Sequence, residues 1–348
     1  MFYYEAINDA LKQAMQIDKK VLCYGLGVDD PKHIFETTSD LQELFGEKRV
    51  FDMPTSENAM TGVAIGVALG GYRPVMVHQR LDFFLLAMDQ LVNAAAKWHY
   101  MFGGQNNIPL VIRLIIGRGW GQGPTHSQAL HSWFAHIPGL KVVMPSTASD
   151  AKGLLMSSIF DGNPILFLEH RWLHNQKEDV PEGDYRVPIG KGRLLREGDD
   201  ITIVANSYMT VEAIHAVDHL RSQNVTCDLI DLRTIRPLDW DIIEKSVEKT
   251  GRLLVLDIGS SFGSIAGEII SGITERKFSF LKVAPSRVCL PDHAVPTSPA
   301  LTKGFYPEAV EIIKAIEKQL NKKLEWVSLS KQQTWPHDVP GSWFQGPF

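Results

Sequence analysis

Two short polar segments stand where an open α/β sheet presents its ligands, just past the carboxyl ends of apolar strands. Thr55-Ser56-Glu57-Asn58 follows the apolar run 49–53 and opens a small-residue helical stretch over 59–70. Thr125-His126-Ser127-Gln128 closes the glycine-rich run Gly117-Arg118-Gly119-Trp120-Gly121-Gln122-Gly123, which itself follows a strand. A carboxylate and an imidazole at such positions can hold or move protons. By residue type alone, Glu57 is equally a partner for a helix dipole and His126 equally a surface histidine. The glycine run reads as a flexible active-site loop, because proline and histidine follow it and no helix start does; its glycine content also fits a plain surface loop. Neither G-x-x-x-x-G-K-[ST] nor G-x-G-x-x-G between strand and helix occurs, which removes the phosphate-loop and nicotinamide dehydrogenase readings.

The elements that must carry these residues follow from periodicity. Ala6, Ile7, Ala10, Leu11, Ala14 and Met15 repeat at helical spacing and lead into the apolar run 21–25. Further apolar runs at 49–53, 74–77, 108–116, 140–144 and 164–168 alternate with helical stretches at 59–69, 84–96 and 149–159. Strands apolar nearly throughout and separated by helices imply a parallel sheet covered on both faces. From 169 to 184 the pattern dissolves, with Val180-Pro181-Glu182-Gly183-Asp184 its most polar point. A second alternation runs through strands at 201–205, 227–232, 253–256 and 288–290 and helices at 210–219, 265–273 and 307–320. The expectation is α/β with two doubly wound domains, 1–180 and a smaller 181–324, then an aromatic, Pro-rich tail 325–348 that straps across a surface or a partner.

Composition narrows the class. The 348 residues are 44% hydrophobic and 22% charged, an ordinary globular profile that excludes fibrous and disordered chains. A net charge of −5 and the lack of any basic run longer than Lys322-Lys323 argue against nucleic acid as a partner. No apolar run reaches the ~18–20 residues of a membrane span and no basic leader precedes one, so a cytoplasmic protein is expected. Cys23, Cys227 and Cys289 are too dispersed for a disulfide or zinc framework and read as buried thiols.

Longer motifs carry a resemblance over roughly residues 3–320. Glu57, then Gly62-Val63-Ala64-Ile65-Gly66 and Asp89-Gln90-Leu91-Val92-Asn93-Ala94-Ala95-Ala96-Lys97, resembles the β subunit of thiamine-diphosphate-dependent 2-oxo acid dehydrogenase E1 components of the pyruvate, branched-chain and acetoin type. The same holds for His126-Ser127-Gln128 with residues 133–143. Residues 231–239, 250–255 and Pro296-Thr297-Ser298 are similar to the transketolase-type C-terminal domain, making the first domain a pyrimidine-binding one. The resemblance implies that Glu57 is the activating glutamate, hydrogen-bonded to the pyrimidine N1′ of thiamine diphosphate. It implies that Phe83 packs on the pyrimidine and that His126 is the active-site histidine serving proton transfer. Leu110, Ser158, Ile159, Asp161 and Asn163 fall where E1 β subunits bind potassium, largely through backbone carbonyls. The family's Gly-Asp-Gly diphosphate motif is absent. The resemblance therefore implies that Mg2+ and the diphosphate are held mainly by an α-type subunit, in an α2β2 assembly, with a lipoyl acyltransferase E2 as a further partner.

The chain departs from the family in two places. The first strand is followed by Gly25-Leu26-Gly27-Val28-Asp29-Asp30 where an acidic pair usually comes directly after the glycine. Before Phe83 stands Val77-His78-Gln79-Arg80-Leu81-Asp82, whose His78, Arg80 and Asp82 alternate on one side of an extended segment. A polar, partly cationic pocket suits a hydroxylated or phosphorylated acceptor, and a surface pair of Arg80 with Asp82 is the plainer alternative. The leading expectation is oxidative decarboxylation of a 2-oxo acid with acyl transfer to a lipoyl domain. The alternatives are a split transketolase-like enzyme with a sugar-type acceptor and a non-catalytic scaffold subunit.

Overall fold

The computed structural model describes residues 1–117, 121–330 and 336–340. They form two units, the first Met1–Ile116 with Trp133–Ile189, the second Gly117–Ser132 with the chain from Gly190 onward.

The first unit opens with α1 (Tyr3–Ile17), whose start is closed by Glu5 accepting the Phe2 N–H at 2.7 Å. Then follow β1 (Val21–Gly25), α2 (Leu41–Phe45), β2 (Val50–Asp52), α3 (Glu57–Leu69) and β3 (Arg73–His78). Next come α4 (Leu81–Phe84), α5 (Ala96–Met101), β4 (Val111–Ile116), α6 (His131–His136), β5 (Lys141–Val143), α7 (Ala148–Ile159) and β6 (Ile165–His170). The strands lie in the order β5-β6-β4-β3-β1-β2, all parallel, and β3, β4 and β6 are buried along almost their whole length. From β1 the chain steps to β2 on one side and then to β3 on the other, so the order reverses between β1 and β3. Such a switch point opens a crevice at the carboxyl ends. The strands approach closely there: a Cβ on Gly25 would meet the Val77 carbonyl oxygen, so only glycine fits.

The helical stretch expected over 84–96 is wound in three ways. After α4, residues Leu85–Ala87 are 3-10 and Gln90–Ala95 are a π-helix before α5 resumes the ordinary pitch. Apolar spacing predicts a helix but cannot show its change of pitch, a feature common at functional sites. A second local anomaly is the run His33, Ile34, Phe35, Glu36, with φ of 45°, 47°, 56° and 67°. This left-handed turn is closed by the Glu36 N–H donating to Lys32 O at 2.9 Å and the Thr38 N–H to His33 O at 3.0 Å. Residues beyond 180 stay with the first unit because they are tied to α7: Tyr185 Oη donates to Ser149 O at 2.6 Å and Ser157 Oγ to Val187 O at 2.6 Å.

The second unit holds β7 (Arg193–Arg196), β8 (Ile201–Ala205), α8 (Tyr208–Arg221), β9 (Cys227–Asp231), β10 (Thr234–Arg236), α9 (Trp240–Thr250), β11 (Leu253–Ser260), α10 (Ile265–Lys277), β12 (Ser286–Leu290), α11 (Pro299–Thr302) and α12 (Ala309–Leu320). Its sheet has the order β12-β11-β8-β9-β7, parallel except for the antiparallel edge strand β7. The two doubly wound α/β units expected from the alternation are thus present. β7 is amphiphilic and partly exposed, which is why the apolar-run criterion passes over it. The start of the tail is anchored, with Lys314 Nζ 4.5 Å from the Trp326 ring centre and His219 Nε2 2.9 Å from Glu325 O. Residues 331–335 and 341–348, including Trp335, Trp343, Phe344 and Phe348, lie outside the described residues, as do Arg118, Gly119 and Trp120 of the glycine loop. Cys23 and Cys227 are buried and Cys289 is half-buried, and burial pushes all three thiols up to about 12, where they are inert near neutral pH. Among the described residues no helix is long and apolar enough to cross a membrane.

Candidate active site

Glu57 is the first residue of α3 and only 6% exposed. Its helix is laid on β3, with Thr61 Oγ1 donating to Glu57 O at 2.8 Å and lying 3.6 Å from Met76 Sδ. A carboxylate at a helix start meets unpaired N–H groups and the positive end of the helix dipole. β3 ends at His78, and the turn into α4 carries Arg80, Asp82 and Phe83. Phe83 is half-buried, whereas Phe84 is fully buried and meets the His78 ring edge-on at 5.0 Å. The structure therefore gathers His78, Arg80, Asp82 and Phe83 at the carboxyl end of β3, beside the switch point.

His78 is 0% exposed, neither ring nitrogen has a hydrogen-bond partner, and burial pushes its pKa down to about 3. It is a neutral imidazole with one donor and one acceptor nitrogen. Arg80 is 3% exposed and lowered to about 10, by burial first and then by Arg171, against a pull from Asp82. Arg80 is thus buried and not at the surface, with the Asp82 carboxylate acting on it. The displaced acids after β1 shape the backbone: Asp30 Oδ1 accepts the N–H groups of Lys32 and His33, both at 2.8 Å.

Beneath this edge lies a buried ion pair. The β4–β6 register puts Arg113 opposite Phe167 and Ile115 opposite Glu169, so Arg113 and Glu169 share one sheet face. Arg113 Nε donates to Glu169 Oε1 at 2.6 Å and Nη2 to Oε2 at 3.0 Å, with both side chains 0% exposed. Burial alone would raise the Glu169 carboxyl, but the Arg113 charge and the hydrogen bonds from His174 and Arg113 together hold the group below the usual carboxylate range. His174 stands 3.5 Å from the same carboxylate, and burial pushes its imidazole down to about 4.

His126 belongs to the second unit, half-buried after a 3-10 turn over Gly123–Thr125, with Nδ1 3.0 Å from Thr125 Oγ1. Its segment is anchored five residues on, where His131 Nε2 lies 2.7 Å from Asp257 Oδ1, both side chains 0% exposed. Asp257 also accepts from Gly259 N at 3.1 Å and Asn206 Nδ2 at 3.3 Å. Burial would raise this carboxyl, but His131 and these donors hold it low. Gly259 makes the approach feasible, since a Cβ there would stand 3.0 Å from His131 Cε1. We expect Asp257→Asn to cost about 1.5–3 kcal/mol, the worth of a hydrogen bond to a charged group. Hydrogen exchange should quicken over residues 121–132 more than elsewhere in the unit; an unchanged pattern would mean that the pair anchors nothing.

The residues expected at a potassium site also come together. Leu110 precedes β4, Ser158 and Ile159 end α7, and Asp161 and Asn163 form the following turn. Arg73 Nη1 donates to Ile159 O at 3.2 Å and Asp161 O at 3.4 Å, Ile165 N donates to Leu110 O at 2.9 Å, and Lys141 Nζ meets Asp161 Oδ2 at 2.5 Å. The chain's own cations Arg73 and Lys141 already engage this cluster.

Sequence reasoning passed over Arg171, Asp257 and His131. The strand-end criterion that found Glu57 also applies to Arg171, directly after β6, but the polar stretch from 169 masked the end of that strand. The His131–Asp257 pair spans 126 positions and has no local signature.

Two doubly wound units, the first with a buried acid at a helix start beside its switch point, make an open α/β fold that presents ligands at its strand ends, and comparison with known proteins gives its family. The transketolase pyrimidine binding domain matches residues 1–176 and the transketolase C-terminal domain residues 190–312. The chain is 40% identical over 325 residues to the β subunit of acetoin:2,6-dichlorophenolindophenol oxidoreductase of Cupriavidus necator, covering 90% of this chain and 96% of that one. It is 40% identical over 314 residues to the pyruvate dehydrogenase E1 β subunit of Rickettsia bellii, with 90% and 97% covered. Against the 2-oxoisovalerate dehydrogenase β subunit of Bacillus subtilis it is 39% identical over 315 residues, with 89% and 96% covered. A solved structure titled as a split gene transketolase, an inactive β4 tetramer, superposes with a TM-score of 0.75 at 21% identity, over 92% of this chain and 99% of that one, a likeness of fold. The chain belongs to the E1 β-subunit family of thiamine-dependent 2-oxo acid dehydrogenases, enzymes that work with an α-type partner.

Proposed function

We propose that this chain supplies the pyrimidine half of a thiamine-diphosphate site and that an α-type subunit bearing Gly-Asp-Gly supplies Mg2+ and the diphosphate half, in an α2β2 assembly. The observation that carries this reading is the largely buried Glu57 carboxylate at the start of α3, in a chain whose sequence has no diphosphate motif. Thiamine diphosphate, when bound, would supply a nucleophilic carbon for the 2-oxo acid carbonyl and an electron sink for the charge left by decarboxylation. Glu57 holds a proton at the pyrimidine N1′, in surroundings where so little exposure leaves the interaction weakly screened. Phe83 offers its ring to the pyrimidine face, His126 moves protons at the substrate, and His78, Arg80 and Asp82 line the substrate's side.

The reaction we infer is oxidative decarboxylation of a 2-oxo acid with acyl transfer to the lipoyl domain of an E2 acyltransferase. The buried polar edge of His78, Arg80 and Asp82 favours a second reading, ketol transfer to a sugar-type aldehyde. Reconstitution with the α-type subunit, Mg2+ and thiamine diphosphate separates the two. Decarboxylation coupled to lipoyl acylation is expected, and turnover only with aldehyde acceptors would overturn the E1 reading.

A further inference from the structure

Three glycines of the run that leads to His126, Gly117, Gly121 and Gly123, lie in the left-handed region at φ of 86°, 70° and 67°. Glycine gives up the most backbone freedom on ordering, so such a run does not hold a side chain in place by itself. The far end of the segment is fixed by the His131–Asp257 pair. Its near end is the single 3-10 turn Gly123–Thr125, which stops at His126. That turn is set against Thr297: a Cβ on Gly123 would meet Thr297 Oγ1 and stand 3.4 Å from the Thr297 Cβ.

Thr297 is in turn backed by α11. Ser298 stands at the start of that helix, and its carbonyl oxygen accepts the N–H groups of Leu301 at 2.9 Å and Thr302 at 3.1 Å. Thr302 is 6% exposed, and its hydroxyl donates to Pro299 O at 3.1 Å. A hydroxyl has one proton to give, so in the 2.9 Å contact between Thr302 Oγ1 and His337 Nε2 the imidazole N–H donates. His337 belongs to the tail. It is half-buried in a turn closed by the Val339 N–H donating to Pro336 O at 3.1 Å, beside Asp338 at 4% exposure. Every link of this series lies within the second unit.

We propose that tail residues 336–340 brace α11 and, through Ser298, Thr297 and Gly123, orient His126, with His337 as the positioning residue. The inference rests on the thiamine reading only for what His126 does. Proton transfer depends on reach, so an imidazole displaced by a fraction of an ångström costs rate more than affinity.

His337→Ala and Thr302→Val, each in the reconstituted complex, should lower kcat about tenfold and leave KM within about twofold. Hydrogen exchange on the same complex should quicken over residues 121–126 and stay unchanged over β8. The double variant should lose no more than either single one, since both remove the same contact. His337→Gln, whose amide N–H can still donate to Thr302 Oγ1, should restore most of kcat and of the protection. Unchanged kcat in His337→Ala overturns the positioning role. Exchange that quickens evenly across the second unit overturns it too, because the tail then supports the fold alone, and so does a Gln variant no better than Ala. A complex without thiamine-dependent turnover overturns the thiamine reading instead; exchange then decides the brace, which requires quickening over 121–126 in His337→Ala that His337→Gln reverses.

Discussion

Replacing Glu57 by Gln should cut thiamine-dependent turnover of the reconstituted complex by about 10²–10⁴-fold while leaving assembly intact, the range expected when a proton-holding group is lost. Gln keeps the size of the side chain and its place at the start of α3. It forfeits the charge that meets the helix N-terminus, worth about 0.3–1 kcal/mol, too little to unfold a unit of this size. What it cannot do is hold a proton at the pyrimidine N1′ with a full negative charge in a setting only 6% exposed. Steady-state rates read the chemistry, and analytical ultracentrifugation reads assembly. Unchanged turnover in an intact complex would sink the cofactor assignment.

The largest effect on stability is expected at Arg113. Arg113→Met leaves the Glu169 carboxylate buried without its countercharge, because His174, lowered to about 4, is neutral near pH 7. Breaking a buried pair from one side costs about 3–5 kcal/mol. The Glu169 carboxyl is depressed in the folded state, so the stabilisation is present above the unfolded carboxylate pKa of about 4.3 and is lost as pH falls through the folded value. The gap between wild type and variant should accordingly be widest near neutrality and narrow in acid, where Glu169 of the variant takes a proton. Replacing both members, Arg113→Met with Glu169→Leu, should recover most of the loss. Thermal midpoints from pH 4 to 8 check this; a gap that does not vary with pH would mean that packing, and not charge, sets the cost.

Glu57 and the His78–Phe83 turn are legible in the sequence because each directly follows an apolar run, and strand ends are where such folds present side chains. His126 is legible by the same rule, through the glycine run that leads into it. Arg171 obeys it too, but the polar residues around it imitate a linker. The three windings between Leu81 and Met101 are hidden for another reason: apolar spacing over a dozen residues is nearly the same for 3-10, α and π pitch once the turns are short.

Residues 181–189 show a related ambiguity. Their polarity suits a linker, yet Tyr185 and Ser157 tie them to α7, because exposed strands of chain can still be held by a few hydrogen bonds.

What the sequence determined by itself is local: the alternation of strand and helix, the two α/β units it builds, and the acid and imidazole at the strand ends. These depend on period and neighbours along the chain. Only the tertiary structure decided which charges meet. Arg113 finds Glu169 across 56 positions and His131 finds Asp257 across 126, because strand order and register, and not sequence distance, set which side chains share a face. Burial decided the rest: the same order that places β3 and β6 in the interior makes His78 a neutral imidazole and makes Arg80 and Arg171 costly cations, where an exposed strand end would have left all three at their ordinary solution values.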